Sequence, residues 1–373
     1  MNTETVSKDP EVLMHSILQR VATGPDLSKS ISYDEAREGM RMVLDRETSD
    51  MRIGLFLIAL RMKRETDAEN TGVLQAILDA TQTVVAAVDE VIDIADPYDG
   101  YGRTLPSSVF LPAVLAACDV AAVCHGLEAV GPKYGVTNRK VLRAAGYDVD
   151  MSVEQAAARL DGRQAGWAYV DQAASCPKLH DLVGLRSEMV KRSVVTTAEV
   201  LTGPIRGRNK THLVTGYVHK PYPPIYANLA RHSGFDSALL VRGVEGGVIP
   251  SLRQPGRAFH FSGEGELEGK DFNPSELDID QPVRAVPFPD GIPLIKKRGS
   301  AEADKPDADV AAGMAATLGM AALAGEAGAF RDGLVYSGGM CLWHLGRVDT
   351  IQKGAEWVRS VLDSGVALAR FKD

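Results

Sequence analysis

The chain has 373 residues, 45% of them hydrophobic and 24% charged, with a formal net charge of −8. That length fills more than one core, which predicts two domains or one large one and excludes disorder for most of the chain. The acidic balance excludes a surface that is a nucleic-acid platform throughout, while leaving room for a local basic patch.

Residues Met1 to Pro10 are polar and acidic, without a charged-then-apolar signal pattern. No later apolar run reaches the roughly 18 residues of a membrane span, so a soluble, cytoplasmic protein is expected. Ser32-x-x-Glu35 and Thr66-x-x-Glu69 read as capping boxes, in which hydroxyl and carboxylate satisfy the unpaired N–H groups of a helix start. Between them Ile53, Leu55, Phe56, Leu57, Ile58, Leu60 and Met62 make a segment apolar nearly all round, as in a helix buried in a bundle or at a subunit contact. Residues 1–90 are therefore expected to form a helical domain.

From Val91 the texture changes to short β-branched runs, Gly-rich turns and Ala-rich segments, the alternation of a parallel sheet covered by helices. Val91–Ile94, Val120–Val123, His212–Val214 and Ala238–Val241 read as strands. Phe110–Cys118, Pro223–His232, Val310–Ala324 and Ile351–Ser364 read as helices. Residues 91–373 form an α/β unit on this reading, with 177–200 a candidate to pack back on the helical domain. The Gly-, Pro- and charge-rich stretch from Gln254 to Asp307 holds either strands of a mixed sheet or irregular excursions. Cys118, Cys124, Cys176 and Cys341 are widely spaced, which excludes a zinc ribbon or disulfide framework and predicts buried thiols.

Leu57-Ile58-Ala59-Leu60-Arg61-Met62-Lys63-x-Glu65-Thr66, then Asp93-Ile94, Cys124-His125-Gly126, Arg186, Leu201-Thr202-Gly203-Pro204 and Asp363-Ser364-Gly365-x-Ala367 resemble, in this order, segments of the anthranilate phosphoribosyltransferases. The resemblance covers roughly residues 10 to 370. It implies the architecture shared with class II nucleoside phosphorylases, a helical domain on a mostly parallel sheet, and it implies a homodimer through the helix of residues 53–62. It also implies glycosyl or phosphoribosyl transfer to an aromatic or nitrogenous acceptor, with a magnesium ion in attendance.

The site motifs depart from the family. Its glycine-rich diphosphate loop, whose backbone N–H groups approach the anion, is replaced by Asp96-Pro97-Tyr98-Asp99-Gly100-Tyr101, and the motif after it by Pro106-Ser107-Ser108-Val109. Two carboxylates repel a diphosphate and two prolines remove donors, so weak or absent binding of phosphoribosyl diphosphate is predicted. Asp96 and Asp99 instead suit a divalent cation or a ribose hydroxyl pair, unless they form a solvated turn. Val248-Ile249 stand where the family has its metal-binding Asp-Glu, which leaves Glu245 as a replacement or an exposed turn residue. Gly100, Ser107, Ser108, Gly126, Lys133 and Gly135 complete the candidate substrate site. His125 is either a substrate donor or a core histidine. Arg186 is either a fork for an acceptor carboxylate or half of a surface ion pair.

A second reading rests on the basic run with Lys191, Arg192, Arg206, Arg208 and Lys210, a candidate phosphodiester contact on the same fold without transferase activity. One branch of the family that lacks the diphosphate residues is associated with nucleic acid. A solvated loop is the alternative.

Overall fold

The computed structural model describes residues 9–24, 26–161, 165–295 and 304–373. Four helices open it: α1 (Pro10–Val21), α2 (Tyr33–Leu44), α3 (Asp50–Lys63) and α4 (Asp67–Asp79). Both capping boxes form. Ser32 accepts from the Glu35 N–H and Glu35 from the Ser32 N–H, and Thr66 with Glu69 does the same, so α2 and α4 begin where the sequence places them. In α3, Ile53, Phe56, Leu57 and Leu60 are buried, whereas Met51, Leu55 and Met62 stay exposed.

The strands that follow include β1 (Val84–Val85), β2 (Glu90–Ala95), β3 (Ala122–Gly126), β4 (Trp167–Asp171), β5 (Ile205–Arg206), β6 (Lys210–Gly216), β7 (Ser237–Val241), β8 (Gly256–Ser262) and β9 (Glu268–Phe272). β1 and β5 make a small parallel pair, and the other seven form one sheet in the order β4-β3-β2-β6-β7-β8-β9. The first five of these are parallel, and β8 and β9 close the edge antiparallel. Every residue of β3 and β7 is buried, as both faces of a helix-covered parallel sheet require. The expected strands and helices are all present, with ends shifted by a few residues. Of the unassigned stretch, residues 256–262 and 268–272 are strands, and 296–303 lie outside the described residues.

Ala95, Leu213 and Leu240 on one face share a core with Met14, Ile17, Phe56 and Leu74 of the bundle. Leu179, Leu182, Val194, Val195 and Ala198 join that same core. Ile92, Ile94 and Val214 on the other face pack under the C-terminal helices through Ala311, Leu334 and Val358. All four cysteines are free and buried. No helix among the described residues is long and apolar enough to cross a membrane.

The topology fixes where a ligand can sit. From β2 the chain moves outward to β3 on one side, while β6 pairs on the other, with Ala95 opposite Thr215. The loops leaving the carboxyl ends of β2 and β6 therefore part company and open a crevice, the usual ligand position in open α/β sheets.

Candidate functional site

A cleft of about 560 Å³ occupies this crevice. Its floor is Pro97, Tyr98 and Asp99 after β2, Thr215 to Val218 at the end of β6, and Arg242, Gly243, Glu245 and Gly246 after β7. The bundle side contributes Arg61, Arg192, Thr196, Tyr222 and Tyr226. Six cations face it, namely Arg61, Arg103, Lys133, Arg192, Arg242 and Arg284, against two carboxylates, Asp99 and Glu245.

Both carboxylates are engaged. Asp99 is buried and accepts from Arg192 at 2.6 and 3.1 Å, with the Lys133 ammonium 3.3 Å away, so it ties the two walls of the cleft together. Glu245 accepts from the backbone N–H groups of Gly102, Arg103 and Thr104 at 2.9–3.0 Å and from the Thr104 hydroxyl at 2.8 Å. Lys133 also donates to the carbonyls of Gly100 and Glu245, at 2.8 and 3.2 Å, and works as a brace between the two loops. Arg242 and Arg284 are exposed and have no side-chain partner among the described residues, and Arg103 is 83% exposed with only a 3.9 Å approach to Glu245, so these three are cations with hydrogen-bonding capacity to spare.

Asp96 lies beneath this surface. It is buried and accepts from the Tyr101 hydroxyl at 2.9 Å, the Val248 N–H at 3.1 Å and the Ser108 hydroxyl, which pins the loop after β2 to the turn after β7. Burial pushes its carboxyl above the ordinary range, against the pull of those donors. Val248 and Ile249 turn into the core. The proposed metal set of Asp96, Asp99 and Glu245 therefore does not fit a resident magnesium ion, because each carboxylate already spends its oxygens on the protein's own donors. Among the described residues no three His, Cys, Asp or Glu side chains gather as a ligand group.

Several other expected contacts are corrected in the same way. Gly100 has φ +71°, and a side chain there would meet the Val136 carbonyl at 2.6 Å; one at Gly135 would meet the Tyr101 carbonyl at 2.4 Å. Their N–H groups bond to Pro97 and Asp99 carbonyls, so these glycines serve the close approach of two loops and donate nothing to a ligand. Ser108 is spent on Asp96, Ser107 is buried beside Gly333, and Gly126 is a buried strand residue. His125 is a core histidine. Its Nδ1 meets the Tyr98 hydroxyl at 2.7 Å, and its Nε2 lies 2.9 Å from buried Asp93, close enough for an ion pair although the N–H does not aim squarely at the oxygen. Tyr98, the one member that reaches the cleft, keeps its proton because burial, then Glu199, Asp93 and Asp171, push its phenol well up.

Arg186 forms a two-pronged pair with Glu199 at 2.6 and 2.7 Å, both side chains almost wholly buried, and it does not line the cleft. The basic run does not form an array either. Arg206 turns inward to the carbonyls of Thr202, Gly203 and Ser233 and stacks over Phe235, Arg208 bonds to the Ala87 carbonyl, and Lys210 lies 3.9 Å from Glu90. Arg192 belongs to the cleft through Asp99, while Lys191 is exposed. Sequence reasoning missed Arg61, Arg242, Arg284 and the tyrosines 217, 222 and 226. For Arg242 a signal existed, since a cation directly after a buried parallel strand stands at the ligand-binding end of the sheet.

Known proteins share both parts of this arrangement. Residues 15–81 match the helical bundle domain of a glycosyl transferase family. An anthranilate phosphoribosyltransferase of Sphingopyxis alaskensis is 28% identical over 94% of this chain and 97% of its own length. An uncharacterized protein of Aquifex aeolicus is 30% identical over 62% of this chain and 68% of its own. Among solved structures, the anthranilate phosphoribosyltransferase of Thermus thermophilus superposes with a TM-score of 0.70 at 22% identity, covering 96% of this chain and 97% of that one. The Saccharomyces cerevisiae enzyme in complex with PRPP and Mg reaches 0.73 at 14% identity, covering 97% and 96%.

Proposed function

Given that the chain belongs to the anthranilate phosphoribosyltransferase family, we propose that it is a pentosyltransferase-type enzyme with an altered donor site. On this reading it binds an anionic, phosphorylated ribosyl donor through arginine and lysine side chains instead of a glycine loop and a carboxylate-held metal. The observation that carries the reading is the charge of the cleft, with six cations facing it and its two carboxylates already spent. Guanidinium forks suit phosphate oxygens, and in a confined site they stabilise charge as a diphosphate leaves. Tyr217, Tyr222 and Tyr226 give the same cleft flat, half-apolar walls suited to an aromatic or nitrogenous acceptor. Ordinary transfer to anthranilate is not expected, because Arg186 is committed to Glu199.

The division proposed with this function is a helical unit over residues 1–90 and an α/β unit over 91–373. Residues 177–200 belong with the helical side, as their shared core supports. The exposed Met51, Leu55 and Met62 on α3 support a homodimer through that helix. A nucleic-acid face over Lys191 to Lys210 draws no support from the inward turn of Arg206. The test is calorimetric titration with phosphoribosyl diphosphate of the native chain and of Arg242→Ala and Arg284→Ala. Affinity falling about tenfold or more in either variant supports the reading; unchanged affinity in both removes it.

A further inference from the structure

Gly102, Arg103 and Thr104 point three consecutive N–H groups at one carboxylate, with the Thr104 hydroxyl as a fourth donor. Successive amides converging in this way make an anion-binding concavity. The carboxylate in it comes from Glu245, 141 to 143 residues away along the chain, on a turn flanked by Gly243, Gly246 and Gly247. Glu245 sits at φ +55°, in the left-handed region that a side chain ordinarily avoids. That conformation is unfavourable for a residue with a side chain, so the four contacts must outweigh it. The Glu245 side chain is 4% exposed where it fills the nest, and a Cβ built on Gly102 would meet only its Oε2, at 3.9 Å. The Arg103 side chain is 83% exposed with its Nε 3.9 Å from the carboxylate, and Arg103, Lys133 and Glu245 all border the cleft.

We propose that the Gly102–Thr104 nest is a binding site for one phosphate-sized oxyanion, and that Glu245 occupies it in cis as a removable plug. The inference rests on the reading that the cleft takes a phosphorylated ligand, and it assigns one phosphate of that ligand to the nest once the Glu245 side chain turns out. A phosphate dianion offers the same donors more charge and more acceptor oxygens than a carboxylate does. In the native chain, however, it competes with a tethered anion at high effective concentration. The native chain should therefore bind inorganic phosphate poorly, and losing the plug should expose the site.

The experiment compares the native chain with Glu245→Gly, which removes the carboxylate and relieves the positive φ, by calorimetry and by melting temperature in titrations with inorganic phosphate. The expected result is at least tenfold tighter phosphate binding in Glu245→Gly, with a saturable rise in melting temperature that the native chain lacks. Adding Thr104→Val to that variant should reverse part of the gain. Equal phosphate affinity in native and variant protein overturns the proposal. If Glu245→Gly does not fold, Glu245→Gln and amide shifts of residues 102–104 in the native chain decide instead. Shifts on adding pyrophosphate, larger in the Gln variant, support the plug, and unmoved amides in both refute it. Should the nest fail while Arg242→Ala still weakens phosphoribosyl diphosphate binding, only the plug falls and the functional reading stands.

Discussion

Glu199→Ala separates a structural arginine from a ligand-binding one. Arg186 and Glu199 are 5% and 1% exposed, joined by two hydrogen bonds of 2.6 and 2.7 Å, with Gln172 donating to Glu199 at 3.3 Å. Removing the carboxylate leaves a guanidinium buried without its counter-charge, which costs about 3–5 kcal/mol. For units of 150–250 residues each kcal/mol moves the midpoint by about 2–4 °C, so the variant should melt roughly 6–20 °C below the parent. Replacing both partners, as Arg186→Met with Glu199→Leu, should recover most of that loss, because no charge is then stranded. The assay is thermal unfolding of the parent, Glu199→Ala, Arg186→Met and the double variant, with donor affinity measured on each below its midpoint. The reasoning is refuted if Glu199→Ala melts within about 2 °C of the parent, or if Arg186→Met weakens ligand binding without touching stability.

Other perturbations probe separate parts of the account. His344 is held down to about 3 by burial and then by His212 and His260, so its folded value lies below the unfolded 6.5. Its contribution is complete above pH 6.5 and is lost as pH falls towards 3; at pH 5 the loss is about 2 kcal/mol by linkage. Urea unfolding at pH 7.5 and 5 should show that loss in the parent and a smaller one in His344→Gln, and identical pH dependence would contradict it. Gly135→Ala drives a methyl to 2.4 Å from the Tyr101 carbonyl, so it should cost about 1–3 kcal/mol and loosen the Lys133 brace. An unchanged urea midpoint would show that the two loops are not held this closely. Light scattering at micromolar concentration should give a dimer for the parent and a monomer for Met51→Asp with Met62→Asp, whereas a monomeric parent refutes the α3 interface.

The fold was legible because its signals are local. Ser32 and Thr66 cap the helices they announce, and the β-branched run at 91–94 and the short apolar run at 238–241 sit in the buried sheet that such composition implies. β4, Trp167–Asp171, escaped because one short apolar run ending in Asp carries no period to read. The site was harder because its meaning lies in pairing. Asp96, Glu245 and Arg186 were each sensible ligand contacts on their chemistry alone, yet each is satisfied by partners brought close only by folding, up to 152 residues away for Asp96. Glu245 in particular reads as a solvated turn residue between glycines, and only the folded chain brings Gly102 to Thr104 around it.

The most direct test of the central claim is calorimetry of the native chain with phosphoribosyl diphosphate at low and raised salt, with and without magnesium. The account predicts weak binding that falls with salt, persists without magnesium and drops further in Arg242→Ala, because arginine side chains hold the anion and no free carboxylate of the cleft awaits a metal. Tight binding that requires magnesium and ignores Arg242 and Arg284, or no binding at any concentration, would contradict it.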